Sequence, residues 1–440
     1  MTRSDAVNAP QPLQRLLGGS AVLLVTANLA NALHFAFHVL MARLLGPAGY
    51  GALAALMALL YVGYVLTEAT QTVMARYTAR ATSQGEVRTL VERALRQGLR
   101  AAAVIAGGYL LVAVALSPLL RLPYPLMAVF TLAFATLPLI PVTRGTLLGL
   151  NHFGGFGMTM LAEVAVKLGL GALAVWIGWN EMGAAAAIGL SLVVAFASGF
   201  VPLRGLREVA PAPAATGGAV AYGVPVLAVT ATVMAFYSID VLLARALFPA
   251  AVAGQYAVAS LLGKGILLGV MPITRVMFPL ASGAPAGSAA RRRVLAATLG
   301  LLALCAAPAL LLVRLFPSQL VRFAGGAQYG ETAAIVLPVA AAMALMAFSN
   351  TLLMFRLSES VPRGWMALPA LLLLEAALLW ASRGSLGAFA GAVLIANAAF
   401  LLASTALVLQ PAGSRHAGVS SPGDALPRSP APSAPPPPRA

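Results

Sequence analysis

Two short stretches of the sequence repeat one another and indicate how the chain is divided. Residues 42–47 read Ala-Arg-Leu-Leu-Gly-Pro, and residues 244–249 read Ala-Arg-Ala-Leu-Phe-Pro. With one inserted residue, the match continues from Gly51-x-x-Ala54 to Gly254-x-x-Ala257. Each stretch follows an apolar block and ends in Pro, which cannot continue a helix, so each predicts a tight hairpin. The repeat predicts two similar halves, although such turns could also recur by chance in a chain rich in Gly and Pro.

The composition places the chain in a membrane. Of its 440 residues, 60% are hydrophobic and only 9% are charged, and the mean hydropathy is +0.90. A soluble domain has about 45–50% apolar and about 25% charged residues, so a soluble globule is excluded. Twelve apolar blocks lie between residues 17 and 409, each long enough for a membrane helix of about 20 residues. We predict an all-α polytopic membrane protein with about twelve transmembrane helices in two parallel six-helix lobes, because six crossings preserve the orientation of the second copy.

The arginines indicate which ends of the helices face the cytoplasm. The formal net charge is +16, and 26 of the 28 basic residues are Arg. With twelve crossings and an internal N-terminus, eighteen of them fall in cytoplasmic segments and six on the opposite side. The positive-inside rule then predicts that both termini are cytoplasmic, and the basic charge needs no nucleic acid to explain it. The first apolar block is too long for a signal peptide and is predicted to be retained.

The predicted organisation has four parts. A cytoplasmic segment covers residues 1–16, the two six-helix lobes cover 17–210 and 211–410, and a Pro-rich tail covers 411–440. The tail has too little apolar surface to fold and is predicted to be disordered. The connection from 75 to 97 has apolar residues at helical spacing, which suits either a helix on the anionic inner leaflet or a solvated extension of the neighbouring spans.

Several motifs resemble those of a known family. Residues 42–52 (Ala-Arg-Leu-Leu-Gly-Pro-Ala-Gly-Tyr-Gly-Ala), followed by an apolar helix and Arg76-Tyr77, resemble the N-terminal signature of polysaccharide-biosynthesis flippases. Residues 240–245 (Asp-Val-Leu-Leu-Ala-Arg), 253–257 (Ala-Gly-Gln-Tyr-Ala) and 278–280 (Phe-Pro-Leu) resemble the matching signature of the second half. These are the Wzx-type O-antigen and exopolysaccharide flippases of the multidrug/oligosaccharidyl-lipid/polysaccharide (MOP) exporter superfamily. The resemblance extends over about residues 15–410.

The resemblance implies a function. It implies a transporter in the bacterial inner membrane that moves an undecaprenyl-pyrophosphate-linked oligosaccharide from the inner to the outer leaflet by alternating access, for surface polysaccharide, O-antigen or exopolysaccharide assembly. Membrane lipids, a polysaccharide polymerase and glycosyltransferases are the implied partners. No cofactor is expected beyond a coupling Na⁺ or H⁺. A MATE-like cation-coupled exporter of drugs or metabolites is the alternative. An enzyme is disfavoured, because the loops opposite the cytoplasm are short and none carries a pair of carboxylates.

Ionisable residues inside the apolar blocks are the candidates for chemistry. Each costs about 2.5–3.5 kcal/mol near the bilayer centre, so each should face a cavity or a partner. The four nearest the middle of their spans are Glu163, Lys167, Lys264 and Glu375. Four others lie nearer the span ends, where they can reach the interface more easily: Glu68, Arg144, Asp240 and Arg275.

Their charges suggest two roles. Cations and polar groups suit a pyrophosphate and sugar hydroxyls, and the predicted substrate-binding set is Lys264, Lys167, Arg144, Arg275, His34 and Asn31. Buried carboxylates suit the driving ion, and the predicted ion-coupling set is Glu163, Glu375, Glu68 and Asp240.

Each role has a structural alternative. Lys264 has no acidic residue within four positions, which favours a role in the transport path. Glu163 and Lys167 are four apart on one helix face and could neutralise one another, and we favour that pairing over substrate contact. For Asp240 we favour an ion pair with Arg245 at the outer rim.

The remaining polar residues favour hydrogen bonding over metal binding. His34 and His38 are four apart and follow Asn28 and Asn31, but the sequence offers no second histidine pair for a zinc site. This stripe suits either sugar hydroxyls or contacts between helices, and Asn350 and Asn397 are open to the same two readings. The tyrosines, among them Tyr61, Tyr64, Tyr237 and Tyr256, are predicted to be interfacial anchors or packing residues rather than a sugar platform.

Overall fold

A computed structural model describes residues 12–214, 220–283, 285, 288–358 and 367–409, which form helices and contain no β-strand. The helices of the first half are α1 (Pro12–Arg80), α2 (Gln84–Leu120), α3 (Tyr124–Thr136), α4 (Ile140–Gly149), α5 (Phe153–Trp176) and α6 (Asn180–Ser198), followed by a 3-10 turn at Arg204–Glu208. Those of the second half are α7 (Val220–Leu247), α8 (Ala250–Gly283), α9 (Ala289–Leu315), α10 (Pro317–Ala324), α11 (Thr332–Leu357), α12 (Ala367–Ala381) and α13 (Leu386–Leu409), with a 3-10 turn at Ala327–Tyr329.

Helix α1 is two membrane segments joined by a one-residue break. Gly46 has φ 68° and ψ 178°, a conformation that glycine tolerates, and Pro47 follows it. The arms 12–45 and 47–80 fold back on one another, since the Tyr50 hydroxyl lies 3.3 Å from His38 Nδ1. Twelve residues of straight helix would separate these two by about 18 Å. The hairpin predicted at Gly46-Pro47 is therefore confirmed.

The membrane segments agree with the predicted number. In the described ranges, ten helices are long and apolar enough to cross a membrane, with α3 and α4 counted together and α1 counted once. Dividing α1 at Gly46 and adding the shorter apolar helix 368–381 brings the number of segments to twelve. The all-α polytopic prediction is confirmed. Charged and turn residues interrupt the apolar pattern often enough for hydropathy to reveal each segment.

The two halves form two lobes with matching positions. Helix α1 packs against α7 and α8, which brings the lobes into contact along the first arm and its continuation. The third segments of the two halves, α2 and α9, both lie at the periphery of the bundle. In each of them, only 17% of the residues in the most apolar stretch are buried. The lobe boundary predicted at residue 210 stays a prediction. The tail 411–440 and residues 1–11 lie outside the described residues.

The two ends of the bundle differ in character. The hairpin face, as we call the end with the Gly46 break, also carries Arg121, Pro249, Gln328 and Arg383. The opposite end, the arginine-rich face, carries among others Arg80, Arg88, Arg207, Arg291 and Arg356. These names refer only to the geometry of the bundle.

The predicted connection 75–97 is an extension of the spans and not a separate helix on the membrane. Helix α1 continues to Arg80, and Ser83 caps α2 by accepting a hydrogen bond from the Glu86 backbone N–H. The apolar face of this first part of α2 packs on the chain itself: Val87 and Val91 contact Val142, and Arg88 donates to the carbonyls of Arg207 and Val209. The solvated-extension reading is therefore favoured over the membrane-surface reading.

Candidate functional site

Arg144 and Glu163 form a buried ion pair in the first lobe. Arg144 Nη2 donates to Glu163 Oε2 at 2.8 Å, and its Nε donates to the Thr159 hydroxyl at 3.0 Å. Helix α4 begins after a break at 137–139 and places Arg144 inside the lobe, where the residue is only 8% exposed. Arg144 is thus buried instead of lying at the interface, and Glu163 forms its ion pair with Arg144, while the charge of Glu163 still acts on Lys167 one turn away on α5.

His34 joins this ion pair to Lys167. His34 Nε2 lies 3.9 Å from Glu163 Oε1, and Lys167 Nζ contacts His34 Nδ1. Because an ammonium can only donate, this contact suits a neutral ring with Nδ1 as the acceptor. The Lys167 ammonium also lies over the Phe37 ring, 4.9 Å from its centroid. We call Arg144, Thr159, Glu163, Lys167 and His34 the N-lobe cluster.

A second buried cluster surrounds Asp240 in the other lobe. Its carboxylate accepts hydrogen bonds from the Tyr256 hydroxyl and the Ser260 hydroxyl, both at 2.9 Å, and from Lys264 Nζ at 3.3 Å. Residues 256, 260 and 264 are four apart and therefore line one face of α8. We call these four residues the C-lobe cluster. Lys264 has no acidic residue nearby in the sequence, but Asp240 on α7 supplies its acidic partner.

The predicted pair of Asp240 with Arg245 is wrong. Asp240 is fully buried in the C-lobe cluster, whereas the Arg245 guanidinium points to the other lobe. Five residues of helix separate the two, which turns their side chains to different faces. Tyr256 and Ser260 escaped the sequence analysis as site residues, although their spacing from Lys264 is a signal that could have found them.

Glu375 lies beside the C-lobe cluster without a hydrogen bond. It is 0% exposed, and neither of its carboxylate oxygens has a partner among the described residues. Its charge interacts with those of Asp240 and Lys264, which places it within electrostatic range of both. Helix α12 thus contributes a buried acid that no fixed group of the described chain neutralises by direct contact.

The two clusters approach each other where the lobes meet. On α1, Phe37 lies under Lys167, and Phe35 packs against Gly265, the residue next to Lys264. Tyr61 of the first lobe packs edge-on against Tyr237 of the second, with centroids 5.2 Å apart, and Lys264 lies 4.5 Å from the Tyr237 centroid. The structure therefore brings a lysine from each lobe to the same central region, lined by tyrosines and a histidine.

The other predicted site residues are more scattered. Glu68 is exposed and forms no ion pair with a described residue, and Asn31 is partly buried one turn before His34. The side chain of Arg275 lies outside the described residues. Asn397 is buried and donates to the Val393 carbonyl within its own helix. Nowhere in the described ranges do three His, Cys, Asp or Glu residues form a group that could hold a metal ion.

Arg43 and Arg245, which occupy equivalent positions in the two sequence repeats, form hydrogen bonds between the lobes at the hairpin face. Arg43 donates to the carbonyls of Arg322 and Phe323 at the end of α10, with its shortest contact at 2.6 Å. Arg245 donates to the carbonyls of Leu120 and Arg121 at the end of α2, at 3.1 and 3.0 Å. Each arginine therefore caps a helix C-terminus of the opposite lobe, where the helix dipole attracts a cation. We call these contacts the arginine clasp.

Two further contacts hold the lobes together at the hairpin face: a backbone contact between the two hairpins and a hydrogen bond from Tyr329. A Cβ added at Gly254 would lie 1.8 Å from the Pro47 carbonyl oxygen, so the two hairpins meet backbone to backbone. The Tyr329 hydroxyl donates to the Ala42 carbonyl at 3.0 Å. Burial raises the pKa of Tyr329 above its ordinary value, so the hydroxyl remains a donor at physiological pH. In this conformation the hairpin face is closed.

The family and the fold agree with this architecture. The polysaccharide biosynthesis protein family matches residues 40–334. No curated protein matches the chain. Among solved structures, an inward-facing multidrug resistance MATE family transporter of the MOP superfamily aligns with a TM-score of 0.69 at 12% identity, covering 88% of this chain and 98% of that one.

Two further structures share the fold. An outward-facing MATE family transporter of the same superfamily aligns with a TM-score of 0.62 at 13% identity, covering 89% of this chain and 94% of that one. A MOP superfamily transporter from Pyrococcus furiosus, described as having a binding pocket of reverse polarity that suggests a different function, aligns with a TM-score of 0.64 at 12% identity over 89% and 94% of the two chains. Identities this low establish the fold and leave the substrate open. The chain belongs to the polysaccharide biosynthesis protein family and is a multi-pass membrane protein with the transporter fold of the MOP superfamily.

Proposed function

We propose that this protein moves an undecaprenyl-pyrophosphate-linked oligosaccharide from the inner to the outer leaflet of the bacterial inner membrane by alternating access. The observation that carries the proposal is that Lys167 and Lys264, one from each lobe, lie beside the same arm of α1: Lys167 lies over the Phe37 ring, and Gly265, next to Lys264, packs against Phe35. A pyrophosphate that crosses hydrocarbon needs cationic partners, and lysines on flexible stems can follow it as the lobes move. Membership of the polysaccharide biosynthesis family supports a glycan-bearing substrate.

The arginine distribution supports a sidedness for this reaction. We assign the arginine-rich face to the cytoplasm, with both termini there, in accord with the positive-inside rule. The closed hairpin face is then the outer one, and the conformation described is inward-facing. The higher TM-score with an inward-facing MATE transporter than with an outward-facing one, 0.69 against 0.62, is consistent with this assignment.

The ion pairs suggest how substrate and driving ion are linked. Glu163 pairs with Arg144 and Asp240 pairs with Lys264, whereas Lys167 contacts His34 and forms no ion pair within the described residues. When the pyrophosphate takes the lysines, Asp240 loses a partner close to Glu375. Uptake of H⁺ or Na⁺ by this pair of acids would then compensate the charge, and the ion would be released when Lys264 returns to Asp240, which makes Asp240 and Glu375 the preferred coupling residues. Glu163 would affect ion coupling only through its ion pair with Arg144. Glu68 is exposed and is therefore a weaker candidate for binding the coupling ion.

Reconstitution tests the proposal directly. Proteoliposomes containing an undecaprenyl-pyrophosphate-linked oligosaccharide are treated with external periodate, which oxidises only glycans on the outer surface. We expect the wild type to expose the inner pool, the Lys167→Gln and Lys264→Gln variants to lose this activity, and the charge-preserving Lys264→Arg variant to retain a part of it. Full activity of both Gln variants would remove the lysines from the mechanism.

A MATE-like exporter of drugs or metabolites is the second candidate. It would use the same fold, because two of the aligned solved structures are multidrug resistance MATE family transporters. The same proteoliposomes loaded with ethidium separate the two functions. Ethidium efflux together with an unexposed glycan pool would contradict the flippase proposal and favour the exporter.

The proposal also concerns the surroundings of the protein. A flippase performs no covalent chemistry, so we propose that it is not an enzyme and needs no cofactor beyond a coupling ion. The glycosyltransferases that build the glycan and the polymerase that extends it are then functional partners on the two sides of the membrane. Both would lose flux if this protein were deleted, and undecaprenyl-linked repeat units would accumulate on the cytoplasmic side.

A further inference from the structure

A lateral groove runs between the lobes just below the hairpin face. Its volume is about 680 Å³, within the range of about 300–1,000 Å³ that is usual for ligand pockets. One wall comes from the first lobe, including Leu59 and Leu119, and the other comes from the second, including Leu243 and Trp380. Apart from two arginines, the side chains that line it are apolar, and none of them is acidic.

The two arginines lie at one end of the groove. Arg121 directly follows the last residue of α2, and Arg383 follows the end of α12 by two residues, so both lie at the hairpin face. Both are exposed, and neither forms an ion pair within the described part of the chain. Arg383 lies over the Trp380 ring, 4.9 Å from its centroid, which holds its guanidinium beside the groove.

The remaining lining extends toward the membrane interior. Along α7 it runs from Leu247 at the hairpin face to Ile239, eight residues deeper, which corresponds to about 12 Å. The groove thus has a cationic end at the level of lipid headgroups and an apolar channel beneath it. A molecule that fits both parts has an anionic head and a hydrocarbon chain, because basic pockets between transmembrane helices bind anionic lipid headgroups.

We propose that this groove is a binding site for an anionic phospholipid, with the phosphate between Arg121 and Arg383 and one acyl chain in the apolar channel. Charge complementarity selects a phospholipid with net negative charge over a zwitterionic one. Because the walls belong to different lobes, the lipid binds best while the hairpin face is closed and therefore favours that conformation. The proposal goes beyond the transport function and does not depend on which substrate is carried.

The fluorescence of Trp380, which lines the groove, can be used to detect a bound lipid. The full-length protein, with Trp176, Trp179 and Trp365 replaced by Phe, is reconstituted into vesicles that contain brominated phosphatidylglycerol or brominated phosphatidylcholine. Bromine quenches tryptophan only at short range, and because Trp380 is 57% exposed, the part of its quenching that is lost when Ala246→Phe fills the groove reports occupation of the groove. We expect phosphatidylglycerol to be preferred in the wild-type background and to bind about 30-fold more weakly after Arg121→Gln with Arg383→Gln, which corresponds to about 1 kcal/mol for each arginine.

Two further variants keep the proposal falsifiable. Arg314→Gln with Arg322→Gln removes the same charge from exposed positions of the same face outside the groove, and should leave the preference intact. Ala246→Phe fills the groove while keeping both arginines, and should reduce quenching by either lipid. Equal quenching by the two lipids, or an equal loss in both arginine pairs, would overturn the proposal. Displacement of phosphatidylglycerol by a small molar fraction of undecaprenyl pyrophosphate would overturn it too, and would assign the groove to the carrier lipid.

Discussion

At the scale of single residues, the buried charges are stabilised by partners distant in the chain. Arg144 and Glu163 are nineteen residues apart, and Asp240 and Lys264 are twenty-four apart. An unpaired charge in the bilayer costs about 2.5–3.5 kcal/mol or more, and each carboxylate also accepts from neutral donors or lies near a histidine. The pairs therefore explain why the chain tolerates these four ionisable groups inside its membrane segments, whereas the buried Glu375 has no such direct partner among the described residues.

Breaking the pair in the first lobe should destabilise the fold. Arg144→Gln leaves the Glu163 carboxylate buried with its main partner removed, and we expect a loss of about 3–5 kcal/mol. The double variant Arg144→Gln, Glu163→Gln should recover part of that stability, because no unpaired charge remains. Thermal unfolding of the detergent-purified protein measures both. A double variant no more stable than Arg144→Gln alone would show that the pair does not explain the burial of Glu163.

Replacing Glu375 by Gln tests the coupling residue. The two side chains have nearly the same shape, and both Glu375 oxygens lack hydrogen bonds in the described structure, so the variant should fold as well as the wild type. We expect the dependence of transport on pH or on sodium to flatten, as measured in proteoliposomes with imposed gradients. Glu331→Gln, at an exposed position, is the matched control. An unchanged dependence in Glu375→Gln would assign coupling to another group.

At the scale of elements, helix ends and breaks determine what the side chains can reach. The break at 137–139 lets α4 begin inside the lobe and point Arg144 at α5. The break at Gly46 places Arg43 at the end of one arm, where it reaches α10 across the lobe interface. At the break in α1, Pro47 follows Gly46, which lies outside regular helical geometry. At the break before α4, a Pro lies within the first turn of α4. At both places the missing N–H of Pro removes no helical hydrogen bond.

A side chain at position 254 should prevent the hairpin face from closing. Gly254→Val places carbon atoms where the Pro47 carbonyl now lies, and backbone cannot move aside as a flexible side chain can. Spin labels on exposed Ala48 and Ala251, in a Cys305→Ser background, report the distance between the hairpins. We expect this distance to increase in Gly254→Val and to stay constant in Gly391→Ala, whose added Cβ meets no atom within 4 Å. A wild-type distance in Gly254→Val would contradict the backbone contact.

At the scale of the whole molecule, the two halves hold each other by equivalent contacts. The arginine that ends the first segment of each lobe caps a helix belonging to the third segment of the other lobe or directly following it. The repeated arginines of the sequence therefore make the equivalent contacts that hold the hairpin face closed. The same arrangement makes the strength of closure adjustable at two positions, Arg43 and Arg245, that belong to neither charge cluster.

Removing the clasp should shift the conformational equilibrium. Hydrogen bonds to a charged group contribute about 1.5–3 kcal/mol each, less where the donor is exposed to water, as Arg43 is. In Arg43→Gln with Arg245→Gln we expect the spin-label pair of positions 48 and 251 to populate a longer distance. Each single variant should show a smaller shift. If the double variant keeps the wild-type distance distribution, the backbone contacts alone maintain closure.

The sequence predicted the large features better than the individual contacts. Hydropathy and turn residues revealed the segments and the Gly46 hairpin, because a membrane helix has a required length and composition. Helical spacing alone did not identify the C-lobe cluster, although Tyr256, Ser260 and Lys264 are four residues apart and share a face of α8. It could not show that Arg144 pairs with Glu163 or that Lys264 pairs with Asp240, because those partners lie on other helices. Spacing within one helix instead favoured Glu163 with Lys167, a local pair that tertiary packing replaced.

Helix α2 is longer than a membrane crossing requires. Its 37 residues span about 55 Å, whereas about 20 residues suffice for the membrane, so roughly 25 Å of it projects beyond the bilayer at the arginine-rich face. Arg88 and Thr89 bind this projection to the backbone at 207–212, and Val87 and Val91 pack it against Val142 of α4, so its base is held to the first lobe. A rotation of that lobe about an axis within the membrane would therefore displace the tip of α2 farther than the residues of the two clusters.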